Sequence, residues 1–498
     1  MAIGGLDIGT TGAKITIIDA TGRVLHTGYM DYPVSRHTDA HEVDAKEIWK
    51  TTRSLLCDAA KAVPGITAVG VTSFGESFVM TDENGEALLP TMLYTDPRGG
   101  EEAELLRQRL GDDAVYAETG TVPHPMYTLP KLMWVKKHRP EIFDQAKYVF
   151  LIADYIVFQL TGERTIDYSL AARTMGFNIR GLCWSREMFL AADIDETVFS
   201  SPVPSGTAAG TLRKRLSLEF GLPDNLKIVI CGHDQISAAI GSGVMTPGSA
   251  ANGAGTVECV TPVFSGIPDR GGMRQGNYPI IPFLRKGLYC CYAFSFTGGS
   301  LLDWFVHRFI GGQTETLQKK GRSVYKTIES QISDEPTGIL VLPHFAGAAT
   351  PYMDTGSKGV FAGLTLAHTT ADLYRSVLEG IVYELKINLD RLDEAGVPVN
   401  GLNASGGCAK SELWLQMKAD ILGIPVNRLG NDEAGTIGGI MMTAIAEGMF
   451  KSLDEAAQTM VYISASFEPR RDMHERYMEH YARYQKLYDA VRPLMPKA

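Results

Sequence analysis

What this sequence has little of narrows it first. It holds seven cysteines in 498 residues, an odd number spread from Cys57 to Cys408 without a C-x-x-C pair, which argues against a disulfide framework and a zinc site. Its longest apolar run, around Ile437 to Ala446, falls well short of a membrane span. Basic residues are in deficit: 47 Lys and Arg against 57 Asp and Glu leave a net charge of −10. That balance disfavours nucleic acid or an anionic membrane as the main partner, while a small polyanion can still bind locally. Neither common nucleotide loop is signalled, because no G-x-x-x-x-G-K-[ST] stretch occurs and Gly253-Ala254-Gly255 lacks the third glycine of a dinucleotide fingerprint. The charged-then-apolar layout of a signal peptide is missing too, since Asp7 interrupts the first apolar run, so the expectation is a reduced, cytoplasmic chain.

What is present begins at Leu6-Asp7-Ile8-Gly9-Thr10-Thr11-Gly12-Ala13-Lys14, an apolar strand breaking into a Gly/Thr turn with one carboxylate and one cation. A turn of small residues lets backbone N–H groups point at an anion, Thr10 and Thr11 add hydroxyl donors, and Lys14 adds charge. Asp7 repels phosphate unless a cation sits between, and Mg²⁺ characteristically bridges a carboxylate and substrate phosphates. The turn thus suggests Mg²⁺-bound nucleotide, although a hairpin whose Asp and Thr merely satisfy backbone is the default for a lone motif.

The length predicts two or more domains. Residues 3–9, 13–19 and 23–28 alternate as strands, so the chain opens as an antiparallel meander. Asp44-Ala45-Lys46-Glu47 has capping-box spacing and starts a helix, followed by a strand over 68–72; the order is mixed α/β. Turn chemistry over 241–248 marks a seam, giving an N-terminal domain over 1–245 and a C-terminal domain over 246–498. Beyond it the opening is echoed by a strand from Ala250, a Gly253-Ala254-Gly255-Thr256 turn, a strand Val257 to Phe264 and another from Leu288 to Phe296. Two such hairpins imply duplicated halves that grip one polyphosphate from opposite sides of a closing cleft.

Three further features carry chemistry. Asp234 stands where the strand Val229 to His233 meets a small-residue helix, and such a carboxylate can take the proton of an attacking hydroxyl or simply cap the helix. Gly298-Gly299-Ser300 opens a helix whose N-terminal amides can receive an anion. Gly406-Gly407 precedes another helix and permits close approach by a flat purine. His37 and His41 near Asp44 are assigned no chemistry, and Asp96 with Arg98 reads either as part of a sugar pocket or as an internal ion pair. Tyr477, Tyr481, Tyr484 and Tyr488 recur at helical spacing, which means a packed face or a contact with a second copy in a homodimer.

The chain resembles the FGGY family of carbohydrate kinases, xylulokinase-like members of the actin-like ATPase superfamily, nearly end to end. The resemblance is carried by Met126 to His138, by Gly359 to Leu364 with Asp372 to Glu379, and by Asp154-Tyr155, Ala172-Arg173-Thr174 and Leu342-Pro343. It implies an α/β fold of two actin-like, ribonuclease H-like domains with ATP and sugar in the cleft between them. It implies Asp234 as catalytic base, Asp7 as the Mg²⁺ ligand, and Thr10, Thr11, Lys14, Gly255, Thr256 and Gly299 on the nucleotide phosphates. Gly406, Gly407 and Ser411 would line the adenosine pocket, while Glu76 and Gln235 would bind sugar hydroxyls.

The implied reaction is ATP-dependent phosphorylation of a primary hydroxyl of a small sugar, a ketopentose such as xylulose. Similar xylulokinases usually carry Gln-Met-His near Phe74-Gly75-Glu76, glycerol kinases have arginine at the position of Gly75, and Gly232-His233-Asp234 is similar to deoxyketose kinases. A deoxyketohexose, glycerol or another polyol, and an aldonate therefore stand as alternatives, as does a non-kinase actin-like ATPase module.

Overall fold

Short β-branched runs separated by Thr-Gly corners become, in the computed structural model, an antiparallel meander of β1 (Ala2–Ile8), β2 (Gly12–Asp19) and β3 (Val24–Asp31). The structure describes residues 2–268, 271–312, 322–430 and 433–496. Helix α1 (Ala45–Ala62) follows, and Asp44 caps it by accepting the Lys46 N–H at 2.8 Å. The reciprocal half of a capping box is not formed, because Glu47 pairs with Lys50 instead. Strand β4 (Ile66–Ser73) returns parallel to β1. With β5 (Thr207–Thr211) and β6 (Lys227–His233) the sheet reads β5-β6-β4-β1-β2-β3, and β6 runs directly into α2 (Asp234–Gly241).

The second sheet repeats this plan with unrelated residues. It contains β7 (Ser249–Ala254), β8 (Glu258–Ser265), β9 (Leu288–Cys290), β10 (Ala293–Ser295), β11 (Gly401–Ser405), β12 (Val426–Leu429) and β13 (Ile463–Phe467). Here β8 lies antiparallel to β7, β11 and then β12 continue parallel on its other side, and β13 closes antiparallel. The expected single strand from Leu288 to Phe296 breaks into β9 and β10 at Cys291-Tyr292, each half pairing separately with β8.

The second half also carries α3 (Gly299–Phe305), α4 (Thr370–Glu394), α5 (Glu412–Leu422), α6 (Ala434–Ala446) and α7 (Arg471–Tyr484). Helix α6 is the apolar run seen in the sequence, and it crosses the seam to pack on β1, β4 and α2. Only glycine allows that approach. A Cβ at Gly438 would sit 1.8 Å from the Ser237 carbonyl oxygen, and one at Gly241 would sit 1.9 Å from that of Ala434. Residues 274–289 also fasten to the first half, through Arg274–Asp113 at 2.7 Å, Ile280 N–H to Gly120 O at 2.8 Å, and Tyr289 to Ile179 O.

Tyr477, Tyr481 and Tyr484 are buried on α7, bonded to Arg375, Asp390 and Glu384 of α4, so the aromatic face packs internally. Among the described residues no helix is long and apolar enough to cross a membrane.

Candidate active site

The first hairpin is closed by the Gly9 N–H donating to Gly12 O at 2.9 Å and by the Tyr32 hydroxyl donating to Gly9 O. Gly12 is crowded by backbone, since a Cβ would lie 2.8 Å from Met30 O. Thr10 and Thr11 thereby reach a cleft of about 560 Å³, which Asp7, Lys14, Glu76, Asp234 and Gln235 also line. Asp7 stands opposite Lys14 in the β1–β2 register. Lys14 is not a free cation: it is paired with Glu433 at the head of α6, a residue the sequence motifs did not reveal. Burial and the nearby Glu433 charge push the Asp7 carboxyl up to about 6, with Lys14 opposing. Crowded carboxylates of this kind suit an oxygen-preferring divalent cation. Among the described residues no three metal-ligating side chains gather, so such a cation would depend on phosphate oxygens and water as well.

The β6–α2 junction is fixed from beneath. Gly232 takes φ 96°, where a Cβ would meet Asp167 Oδ2 at 2.5 Å. Ser169 accepts the His233 N–H at 3.0 Å and donates to Asp167 at 2.6 Å, while Thr72 donates to Gly232 O at 2.6 Å. His233, not Asp234, occupies the cap position, so the capping role weighed for Asp234 is not used. Asp234 Oδ1 has no hydrogen-bond partner among the described residues, although His233 Nε2 lies 3.3 Å away outside bonding geometry. The side chain is 30% exposed, toward the cleft. Desolvation by the cleft walls, then the Asp7 and Glu76 charges, push its carboxyl up to about 8; hydrogen bonds from Gln235 oppose this.

At the other end of the cleft, Ser77 N–H donates to Gly75 O at 2.7 Å, a γ-turn that holds Glu76 at φ 63°. A non-glycine residue in that conformation is held against its preference, and Thr128 helps by donating to Glu76 O at 2.7 Å. Glu76 is not wholly open to substrate as expected. Its Oε1 accepts from Arg173 Nε at 2.5 Å, which leaves Oε2 as the acceptor. Arg173, visible in the sequence only as part of a family-like segment, lies buried over the rings of Tyr127 and Tyr292, with no partner for Nη1 among the described residues. Asp96 and Arg98 form an ion pair at 2.6 Å that Glu42 joins, the internal alternative of the two.

The second hairpin meets two loops. The Gly299 N–H donates to Gly255 O at 2.8 Å and the Ser300 N–H to Thr256 O at 3.1 Å. The amides opening α3 are therefore filled by the hairpin, and the anion site expected there is not available. Gly406 takes φ 96°, and a Cβ would lie 2.6 Å from Ala254 O, so close backbone approach holds this loop against the hairpin. Gly299, Gly407 and Ser411 line a separate cavity of about 390 Å³ with Tyr325, Tyr374 and Trp414. Gly255, Thr256 and Gly406 line neither space; Gly255 meets the cavity-lining Gly299 through the backbone bond above, and Val257, which follows Thr256, lines the cleft. Ser411 caps α5 by accepting the Trp414 N–H at 3.2 Å and donates to Glu329 at 2.9 Å.

Comparison with known proteins defines the class. The N-terminal domain of the FGGY family of carbohydrate kinases matches residues 2–241, and the C-terminal domain of that family matches residues 254–447. The chain therefore belongs to the FGGY family of carbohydrate kinases, as its sequence suggested, and is a sugar kinase with the two-domain, mixed α/β fold of that family.

Among individual relatives it is 27% identical to a xylulose kinase of Staphylococcus epidermidis, covering 98% of this chain and 97% of that one. It is 28% identical to a gluconokinase of Bacillus subtilis, covering 95% and 93%. Solved xylulose kinases of Lactobacillus acidophilus and Rhodospirillum rubrum superpose with TM-scores of 0.90 and 0.90 at 22% and 24% identity; they cover 99% of this chain and 98% and 99% of theirs.

Proposed function

We propose that this kinase transfers the γ-phosphoryl group of ATP to a primary hydroxyl of a small neutral ketose, a ketopentose such as xylulose, with Asp234 as the general base. The observation that carries this reading is Asp234 itself: a carboxylate lining the same cleft as the first phosphate hairpin and Glu76, with its buried Oδ1 left without a hydrogen-bond partner among the described residues. At its raised pKa it is matched to accepting a hydroxyl proton near neutrality.

Asp7, with Glu433 nearby, would hold Mg²⁺, which when bound neutralises charge between the phosphates. Thr10, Thr11 and the Gly9–Gly12 turn bind the phosphates, and Lys14 can turn from Glu433 toward them. The cavity lined by Gly299, Gly407 and Ser411 takes adenosine, and Gly255, Thr256 and Gly406 stand between base and phosphates. Glu76 Oε2 and Gln235 accept and donate to sugar hydroxyls. The domain boundary lies between α2 and β7, at 245/246, and a cytosolic setting accords with seven free cysteines.

An aldonate is the second reading, favoured by the likeness to a gluconokinase. The pairing of Arg173 with Glu76 speaks against it, because the cation at the sugar end is already neutralised. ADP release measured across ketopentoses, deoxyhexuloses, hexuloses, polyols and aldonates tests the reading. A large rise with a neutral ketose supports it, a rise with an aldonate replaces the substrate, and sugar-independent turnover points to an ATPase module.

A further inference from the structure

We propose that His233 is a specificity-determining residue of the sugar site: held by Tyr292 from the second half of the chain, its imidazole presents Nε2–H to a substrate oxygen next to the reacting hydroxyl. The proposal rests on the kinase reading above and deepens it.

Three observations carry it. The first is the bond that orients the ring. His233 Nδ1 lies 2.6 Å from Tyr292 Oη, and both side chains are buried. Burial holds the Tyr292 phenol protonated and the imidazole neutral, with Arg173 adding to the latter. The phenol therefore donates to Nδ1, and the ring proton resides on Nε2. That atom lies 3.3 Å from Asp234 Oδ1, and both residues line the cleft. A sugar oxygen adjoining the hydroxyl that meets Asp234 comes within reach of the same N–H.

The second observation is a competition for volume. A Cβ at Gly75 would lie 2.9 Å from His233 Cδ2, 3.0 Å from Nε2 and 3.2 Å from Arg173 Cγ. The imidazole thus occupies the place that a side chain at position 75 would take. Gly75 and His233 form one matched pair, and the shape of the sugar pocket there is set by the ring.

The third is where Tyr292 comes from. It stands in the break between β9 and β10, and that interruption turns it inward against His233 and Arg173. The wall of the sugar site is thereby completed only when the two halves are in contact.

The test is sugar-dependent ADP release by the full-length protein. Tyr292→Phe removes one oxygen and is expected to raise the sugar KM about tenfold, the loss of one oriented hydrogen bond, with the ATP KM within about twofold. His233→Ala should do the same and change the ranking of sugars. Gly75→Met should displace the ring and abolish turnover, and adding His233→Ala to it should restore turnover about tenfold or more by freeing the shared space.

Unchanged sugar KM and ranking in both Tyr292→Phe and His233→Ala would overturn the proposal, as would equal losses for sugar and ATP. If His233→Ala fails to fold, the sugar KM of Tyr292→Phe decides by itself. Wild-type protein that turns over no sugar at all would instead overturn the kinase reading, and this proposal with it.

Discussion

Lys14 of β2 and Glu433 at the head of α6 form an ion pair that ties the first phosphate hairpin to the second half of the chain. Both are partly exposed, so the pair matters for what it positions and not for stability. Lys14→Met is expected to raise the KM for ATP about tenfold, the effect of about 1.4 kcal/mol of lost phosphate interaction, while the sugar KM stays level. Initial rates at varied ATP check this, and an unchanged KM would remove Lys14 from the phosphate site.

The raised carboxyl of Asp234 sets a pH dependence. Its protonated form cannot accept a proton, so kcat/KM, which reports the free enzyme, should rise with pH through an apparent pKa near 8. A bound cation favours the ionised form, so the corresponding limb of kcat should lie at lower pH. A limb in the ordinary carboxylate range for kcat/KM would contradict the assignment.

The same shift makes a stability prediction. Folded Asp234 holds its proton up to about 8, far above its usual value of 3.8, so the native state is progressively penalised as pH rises between them. Asp234→Asn removes that penalty. Its melting temperature should exceed that of wild type, by more at pH 8 than at pH 5, as thermal melts at the two values will show.

Adjacent glycines of α6 should behave in opposite ways. Gly438→Ala places a methyl 1.8 Å from the Ser237 carbonyl oxygen and forces α6 from α2, at a cost of about 1–3 kcal/mol or more. Gly439→Ala meets nothing within 4 Å and should be neutral or stabilising by up to about 1 kcal/mol through helix propensity. Denaturant unfolding of the two variants decides whether this crossing holds the seam.

Features made by neighbours in the chain were legible in the sequence: the Gly9–Gly12 corner, the Asp234 junction and the second hairpin are each local turn chemistry. Features that join distant segments were not. Glu433 meets Lys14 only because α6 crosses the seam, and Arg173 meets Glu76 across 97 residues of sequence. The Gly298-Gly299 start illustrates the reverse error. Its amides have the form of an anion site, but tertiary packing supplies carbonyls from Gly255 and Thr256 to fill them. The break at Cys291-Tyr292 was equally hidden, since the apolar run is continuous and only separate pairing of its halves with β8 divides it.

The central claim is that one carboxylate at the strand–helix junction takes the proton of the reacting hydroxyl. Single-turnover phosphoryl transfer by Asp234→Asn, with nucleotide affinity measured on the same sample, tests it most directly. The account predicts a transfer rate lowered by about 10²–10⁴ with ATP affinity retained. Transfer at the wild-type rate by a variant that still binds ATP would contradict it.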